Sequence, residues 1–131
     1  MIEDRSIKRV DFIGSSKDEL RGFPEEVKQD IGYALFEAQK GEKPAAAKPL
    51  KGFGSAGILE IVENFTSGTY RAVYTVRFKD VIYVLHCFQK KSKQGIKTTQ
   101  QDMNLIKRRL KAAEDDYRIN YENKRNNSQG K

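Results

Sequence analysis

The sequence contains one cysteine, Cys87, and one histidine, His86. A single cysteine excludes an internal disulfide. Its place in an apolar strand pattern reads as a buried, reduced thiol of a cytosolic protein. Adjacent on a strand, His86 and Cys87 point to opposite faces. They can neither chelate a metal together nor work as a nucleophile and its base. No other metal-ligand spacing occurs, so neither a metal nor another cofactor is expected. Long apolar runs are missing as well. None approaches the roughly 20 residues that span a bilayer, and "MIEDRSIKRV" has no signal-peptide core. The expectation is a cytoplasmic protein without a membrane partner. No glycine-rich phosphate loop follows a strand; "GFGSAG" precedes one and is weak as a nucleotide motif.

Positive charge is what the chain has in excess. Lysine and arginine number 25 against 18 acidic residues, a formal net charge of +7. Such a balance favours polyanions, acidic partners or anionic membranes without choosing between them. At 131 residues, with 37% hydrophobic and 33% charged, the chain supports one domain with a thin core and a large polar surface.

The order of elements follows from periodicity and punctuation. "KRVDFI", Lys8 to Ile13, reads as a first strand closed by Gly14. A helical pair runs from about Ser16 to Lys40, broken at Pro24. In its second member Val27, Ile31, Ala34, Leu35 and Ala38 recur at helical spacing. Residues 41–57 are punctuated by proline and glycine and read as a loop. Three strands follow: "ILEIVENF", "TYRAVYTVRF" and "VIYVLHCFQ", joined by short links that favour an antiparallel meander. In the middle strand Tyr70, Ala72, Tyr74, Val76 and Phe78 share one face. Arg71, Val73, Thr75 and Arg77 share the other, which is expected to be partly wet and cationic. In the last strand the alternation places His86 with Val84 and Phe88, and Cys87 with Leu85. A final helix is capped by Thr98 or Thr99 and carries the stripe Met103, Ile106, Leu110 and Ala113. From Arg118 the chain is polar and reads as a disordered tail, leaving one domain over residues 1–117. The fold class is α+β: a small antiparallel-rich twisted sheet, an N-terminal helical pair and a C-terminal helix.

Cations mark the candidate site. Lys48 and Lys51 precede the sheet, and Arg71 and Arg77 lie on the polar face of its middle strand. Lys90, Lys91, Lys93 and Lys97 leave its last strand. Converging on one concave side, they suit a phosphodiester chain and the extra negative charge that phosphorus gains during cleavage. Each also has an ordinary reading. Lys93 and Lys97 fit a solvated loop, Arg71 fits a pair with Glu60 or Glu63 across the hairpin, and His86 fits a satisfied strand residue. From residues alone the chain is a small basic α+β domain that binds RNA, DNA or an acidic protein.

The segment "GTYRAVYTVRFKDVIYVLHCFQKKSKQGIKTTQQDMNLIKRRLKAAEDDY", with "PLKGFGSAGILEIVENF" before it, carries more. It resembles the phage-derived Gp49-like, HigB-type branch of the RelE/ParE toxin superfamily, over about residues 44–117. "YRAVY", "YVLHCFQKKSK" and the "RRLK" helix, in that order, carry the likeness. The resemblance implies a type II toxin and a metal-independent endonuclease that cuts mRNA on the ribosome. It also implies a cognate helix-turn-helix, HigA-like antitoxin, with operator DNA reached only through that antitoxin. ParE-type relatives use the same fold against DNA gyrase, which stays open as an alternative, as does a non-toxic phage or transposon accessory protein. By position, Lys51 matches the basic residue before the sheet, Arg71 the strand arginine, and Lys90 and Lys91 the basic strand exit. For that chemistry His86 or a lysine is the candidate proton carrier, and Lys48, Arg77, Lys93 and Lys97 are the candidate RNA or ribosome contacts. The chain departs from RelE-type relatives at "GIKTTQQD", where they place a tyrosine and this sequence has no aromatic.

Overall fold

Period-two apolar patterns between tight links determine where the sheet forms. The computed structural model describes residues 7–54, 57–90 and 98–123. The meander consists of β3 (Ile58–Phe65), β4 (Gly68–Thr75) and β5 (Val81–Lys90), after β1 (Arg9–Phe12) and β2 (Ala47–Pro49). Thr66 and Ser67 link β3 to β4. Gly68 follows with φ +142°, where a Cβ would lie 2.9 Å from the Lys90 carbonyl oxygen. The helices are α1 (Ser16–Arg21), α2 (Glu25–Gln39) and α3 (Gln100–Tyr117).

The strand order is β1-β5-β4-β3-β2. β1 lies parallel to β5, with Arg9 opposite Val81 and Phe12 opposite Val84, and the other pairs are antiparallel. β2 falls inside the stretch expected to be loop. Three residues are too few to show a period, and as an edge strand it tolerates Pro49. β4 ends at Thr75, short of the expected Phe78.

Both faces of the sheet are covered. Val27, Ile31, Ala34, Leu35 and Ala38 of α2 pack on Tyr70, Ala72, Tyr74, Ile82 and Val84. Ile106, Ala113 and Tyr117 of α3 pack on Val73, Val81, Tyr83 and Leu85. The face expected to be partly wet is therefore buried along β4: α3 packs over Val73, which is 0% exposed, and Thr75 is 0% and Arg71 4% exposed.

A register shift re-aims the end of β5. Val73 is opposite His86 while Tyr74 is opposite Val84, so Leu85 is an extra residue. Leu85 packs among the residues under α3, and Val84 and Cys87 both pack under α2. Simple alternation had paired Cys87 with Leu85 and His86 with Val84; the bulge reverses both assignments.

The chain also remains structured past the point where a tail was expected. α3 runs into a π-helical turn, Arg118–Glu122. There Tyr121 stacks on Tyr117 with ring centroids 5.2 Å apart, and its hydroxyl donates to Asp11 at 2.8 Å. Tyr83 donates to Asp116 at 2.6 Å and Tyr117 to Asp80 at 2.9 Å. These bonds fasten the C-terminal half of α3 to β1, β5 and the turn before β5. Residues 124–131 of the expected tail lie outside the described residues.

Candidate functional site

β1 pairs with β5 only as far as Val84, so the rest of that edge needs other partners. α1 and α3 supply them. Ser16 is buried, and its hydroxyl donates to the Val84 carbonyl at 3.1 Å. The Cys87 amide donates to the Glu19 carboxylate at 3.0 Å. Arg109 donates to the Leu85 carbonyl at 3.0 Å, to Glu19 at 3.0 Å and to the Ser15 hydroxyl at 2.9 Å.

His86 sits inside this set. Its Nδ1 is 3.1 Å from Glu19 Oε1 and its Nε2 is 2.9 Å from Asp102 Oδ1. A neutral imidazole donates from one nitrogen and the imidazolium from both, so the cation satisfies both carboxylates. Asp102 is oriented in turn by the helix cap. Its amide donates to Thr99 Oγ1 at 3.1 Å, and the Thr99 hydroxyl donates to its carboxylate at 2.8 Å. Burial pushes the Glu19 carboxyl up, but hydrogen bonds from Arg109, the Cys87 amide and His86 outweigh it and hold the group at about 2. His86 is 6% exposed with both nitrogens engaged. It clamps α1, β5 and α3 together rather than standing at an open margin.

The register builds the neighbouring surface in rows, since residues directly opposite share a face. Lys48, Glu60, Val73 and His86 form the first row across β2 to β5. Val62, Arg71 and Phe88 form the second, and Asn64, Thr69 and Lys90 the third. Val73 places all three rows on the α3 side. Arg71 donates to Glu60 at 2.7 Å with both side chains buried, a charge-assisted bond that fixes the guanidinium. Lys48 is exposed and Lys90 partly so, one row to either side of Arg71.

The remaining sequence candidates separate. Lys51 is exposed on the loop that crosses to α3, where the missing Cβ of Gly52 would come within 2.8 Å of Met103 Cε. Arg77 lies beyond the other end of β4 and pairs with Glu114 in the C-terminal half of α3 at 3.0 Å. It does not join the rows. Lys91, Lys93 and Lys97 lie outside the described residues. Cys87 faces α2, and burial pushes its thiol up to about 12. Among the described residues, no group of three or more His, Cys, Asp or Glu side chains is placed to hold a metal ion. No helix among them is long and apolar enough to cross a membrane.

Sequence reasoning passed over Glu19, Asp102 and Arg109 as members of the site. In sequence Glu19 is one acid among several in the helical pair, and Arg109 one of the basic residues between Lys107 and Lys111. Asp102 carried the clearest signal, three residues after a capping threonine.

Residues 18–111 match the family described as "Phage derived protein Gp49-like". No curated protein matches the chain. Among solved structures, the fold is similar to that of the Escherichia coli toxin RelE, a double-arginine mutant in the free state. The TM-score is 0.50 at 18% identity, over 81% of this chain and 97% of that chain. A chain of the Mycobacterium tuberculosis toxin–antitoxin complex RelBE2 matches at a TM-score of 0.47 and 16% identity, over 70% of this chain and 100% of that one.

Proposed function

Since the chain belongs to the phage-derived Gp49-like family, we propose that it is the toxin of a type II toxin–antitoxin pair and a ribosome-dependent mRNA endonuclease. One observation carries the reading: Lys48, Arg71 and Lys90 lie on one face of the sheet in neighbouring rows.

The reaction is attack of a ribose 2′-oxygen on the adjacent phosphorus. The bond to the 5′-oxygen breaks, giving a 2′,3′-cyclic phosphate and a free 5′-hydroxyl. Arg71 stabilises the charge that builds on the phosphoryl oxygens. Glu60 orients its guanidinium in advance, so little reorganisation is needed as the charge develops. Lys90, Lys91 and Lys51 hold the phosphates. The step also needs a base for the 2′-hydroxyl proton and an acid for the leaving oxygen. Lys48, Lys93 and Lys97 grip ribosomal RNA. His86 serves this site by position, through the clamp with Glu19 and Asp102. The cognate antitoxin is a helix-turn-helix, HigA-like protein that brings the pair to operator DNA.

Induced expression followed by mapping of mRNA 5′ ends tests the proposal. New 5′-hydroxyl ends inside translated reading frames, absent when ribosomes are kept off the message, are expected. Growth arrest with intact mRNA and accumulated gyrase–DNA breaks would replace the nuclease reading with a ParE-like one.

A further inference from the structure

We propose that Phe88 is the platform on which the substrate stacks a nucleobase, with His86 supporting the ring from beneath. This inference rests on the nuclease reading above and adds a base contact to it. Phe88 is directly opposite Arg71, and Lys90 follows two residues later on the same face. An aromatic plane therefore lies among the cations that would hold the phosphates. Single-stranded nucleic acid is held by this combination, a cationic track with an aromatic plane beside it.

Position and rigidity set this ring apart. Phe53, Phe78, Phe88 and Tyr121 are the partly exposed aromatics of the cluster under α3, and Phe88 is the one opposite Arg71. One face of the ring lies on the His86 imidazole, centroids 4.6 Å apart and planes 18° from parallel. The imidazole is itself held by a carboxylate from α1 and one from α3, at 3.1 and 2.9 Å. A ring so backed loses little freedom when a base settles on it. The reaction supplies the need for such a platform. In-line attack by a 2′-oxygen requires the nucleotide to leave A-form geometry, which unstacks its base. Stacking is open to every base, so this contact adds affinity for an unstacked nucleotide without selecting a codon.

The test is a cycle between protein and substrate in single-turnover cleavage on saturating ribosomes. The mRNA carries either an intact base or an abasic residue immediately 5′ of the cut. Phe88→Leu and Phe88→Met are made together, and thermal melts select a variant that folds as wild type. On intact mRNA that variant cleaves roughly five- to a hundredfold more slowly. On abasic mRNA it matches wild type, because the partner it would have lost is already gone. Phe88→Trp retains the plane and cleaves intact mRNA at close to the wild-type rate. A Phe88 loss of equal size on both substrates, or no loss at all in a cleaving variant, overturns the stacking role and leaves the nuclease reading standing. Failure of wild type to cleave any ribosome-bound mRNA overturns both.

Discussion

Removing Arg71 alone disturbs folding and chemistry together, and the structure gives the size of each effect. Its guanidinium is 2.7 Å from Glu60, with the two side chains 4% and 6% exposed. Arg71→Met keeps much of the volume but strands a buried carboxylate. Breaking a buried pair from one side costs about 3–5 kcal/mol. A chain of this length loses roughly 3–5 °C in Tm per kcal/mol, so a fall of about 10–20 °C is expected. Replacing both partners, as Glu60→Leu with Arg71→Met, removes the stranded charge, and the double variant should melt within about 5 °C of wild type. Urea unfolding and thermal melts of the two single variants and the double variant give the coupling energy, expected to exceed about 2 kcal/mol. The stable double variant then isolates the chemistry. Its single-turnover cleavage rate should fall at least about tenfold, equivalent to about 1.4 kcal/mol of lost transition-state stabilisation. Additive stability changes would refute the buried ion pair. A stable double variant that cleaves at the wild-type rate would refute the role of Arg71 at phosphorus.

Glu19 predicts an acid limb in stability. Its carboxyl is held at about 2 in the folded chain against an ordinary 4.5, so its contribution is fully present above about pH 4.5 and is lost as pH falls toward 2. Discounted for the partial exposure of the carboxylate, the difference is on the order of 1–2 kcal/mol. Urea titrations of wild type and Glu19→Gln should converge as pH falls through that window, and parallel curves would contradict the assignment. Cys87→Ala should cost about 1–2 kcal/mol and retain cleavage. The thiol of the folded protein should resist alkylation at pH 8, since burial pushes it up to about 12. Lys48→Ala should weaken ribosome association and flatten its salt dependence while sparing the cleavage rate at saturation; an unchanged salt slope would remove Lys48 from the RNA contact.

The sequence alone determined the order of the elements other than β2, the limits of β3 and the core stripe of α2, because apolar period and turn residues are local properties of the chain. It also narrowed the cap of α3 to Thr98 or Thr99, of which Thr99 serves, and marked Lys48, Arg71 and Lys90 as basic groups around the sheet. Only the tertiary structure decided which of them share a face. Local alternation misplaced His86 and Cys87, because one extra residue at Leu85 shifts the register and no pattern within β5 announces it. Arg71 reads as half-solvated because the strand's own alternation does not record that the side chain is buried against Glu60. β2 and the parallel pairing of β1 depend on strand neighbours far away in the chain. The clamp depends on distance most of all. Glu19 is 67 residues from His86 and 90 from Arg109, and each is an unremarkable surface charge in its own helix or strand. They become a site only when α1 closes the free edge of β5 and α3 crosses above it. Burial then makes pairing obligatory for charges that water would otherwise have satisfied.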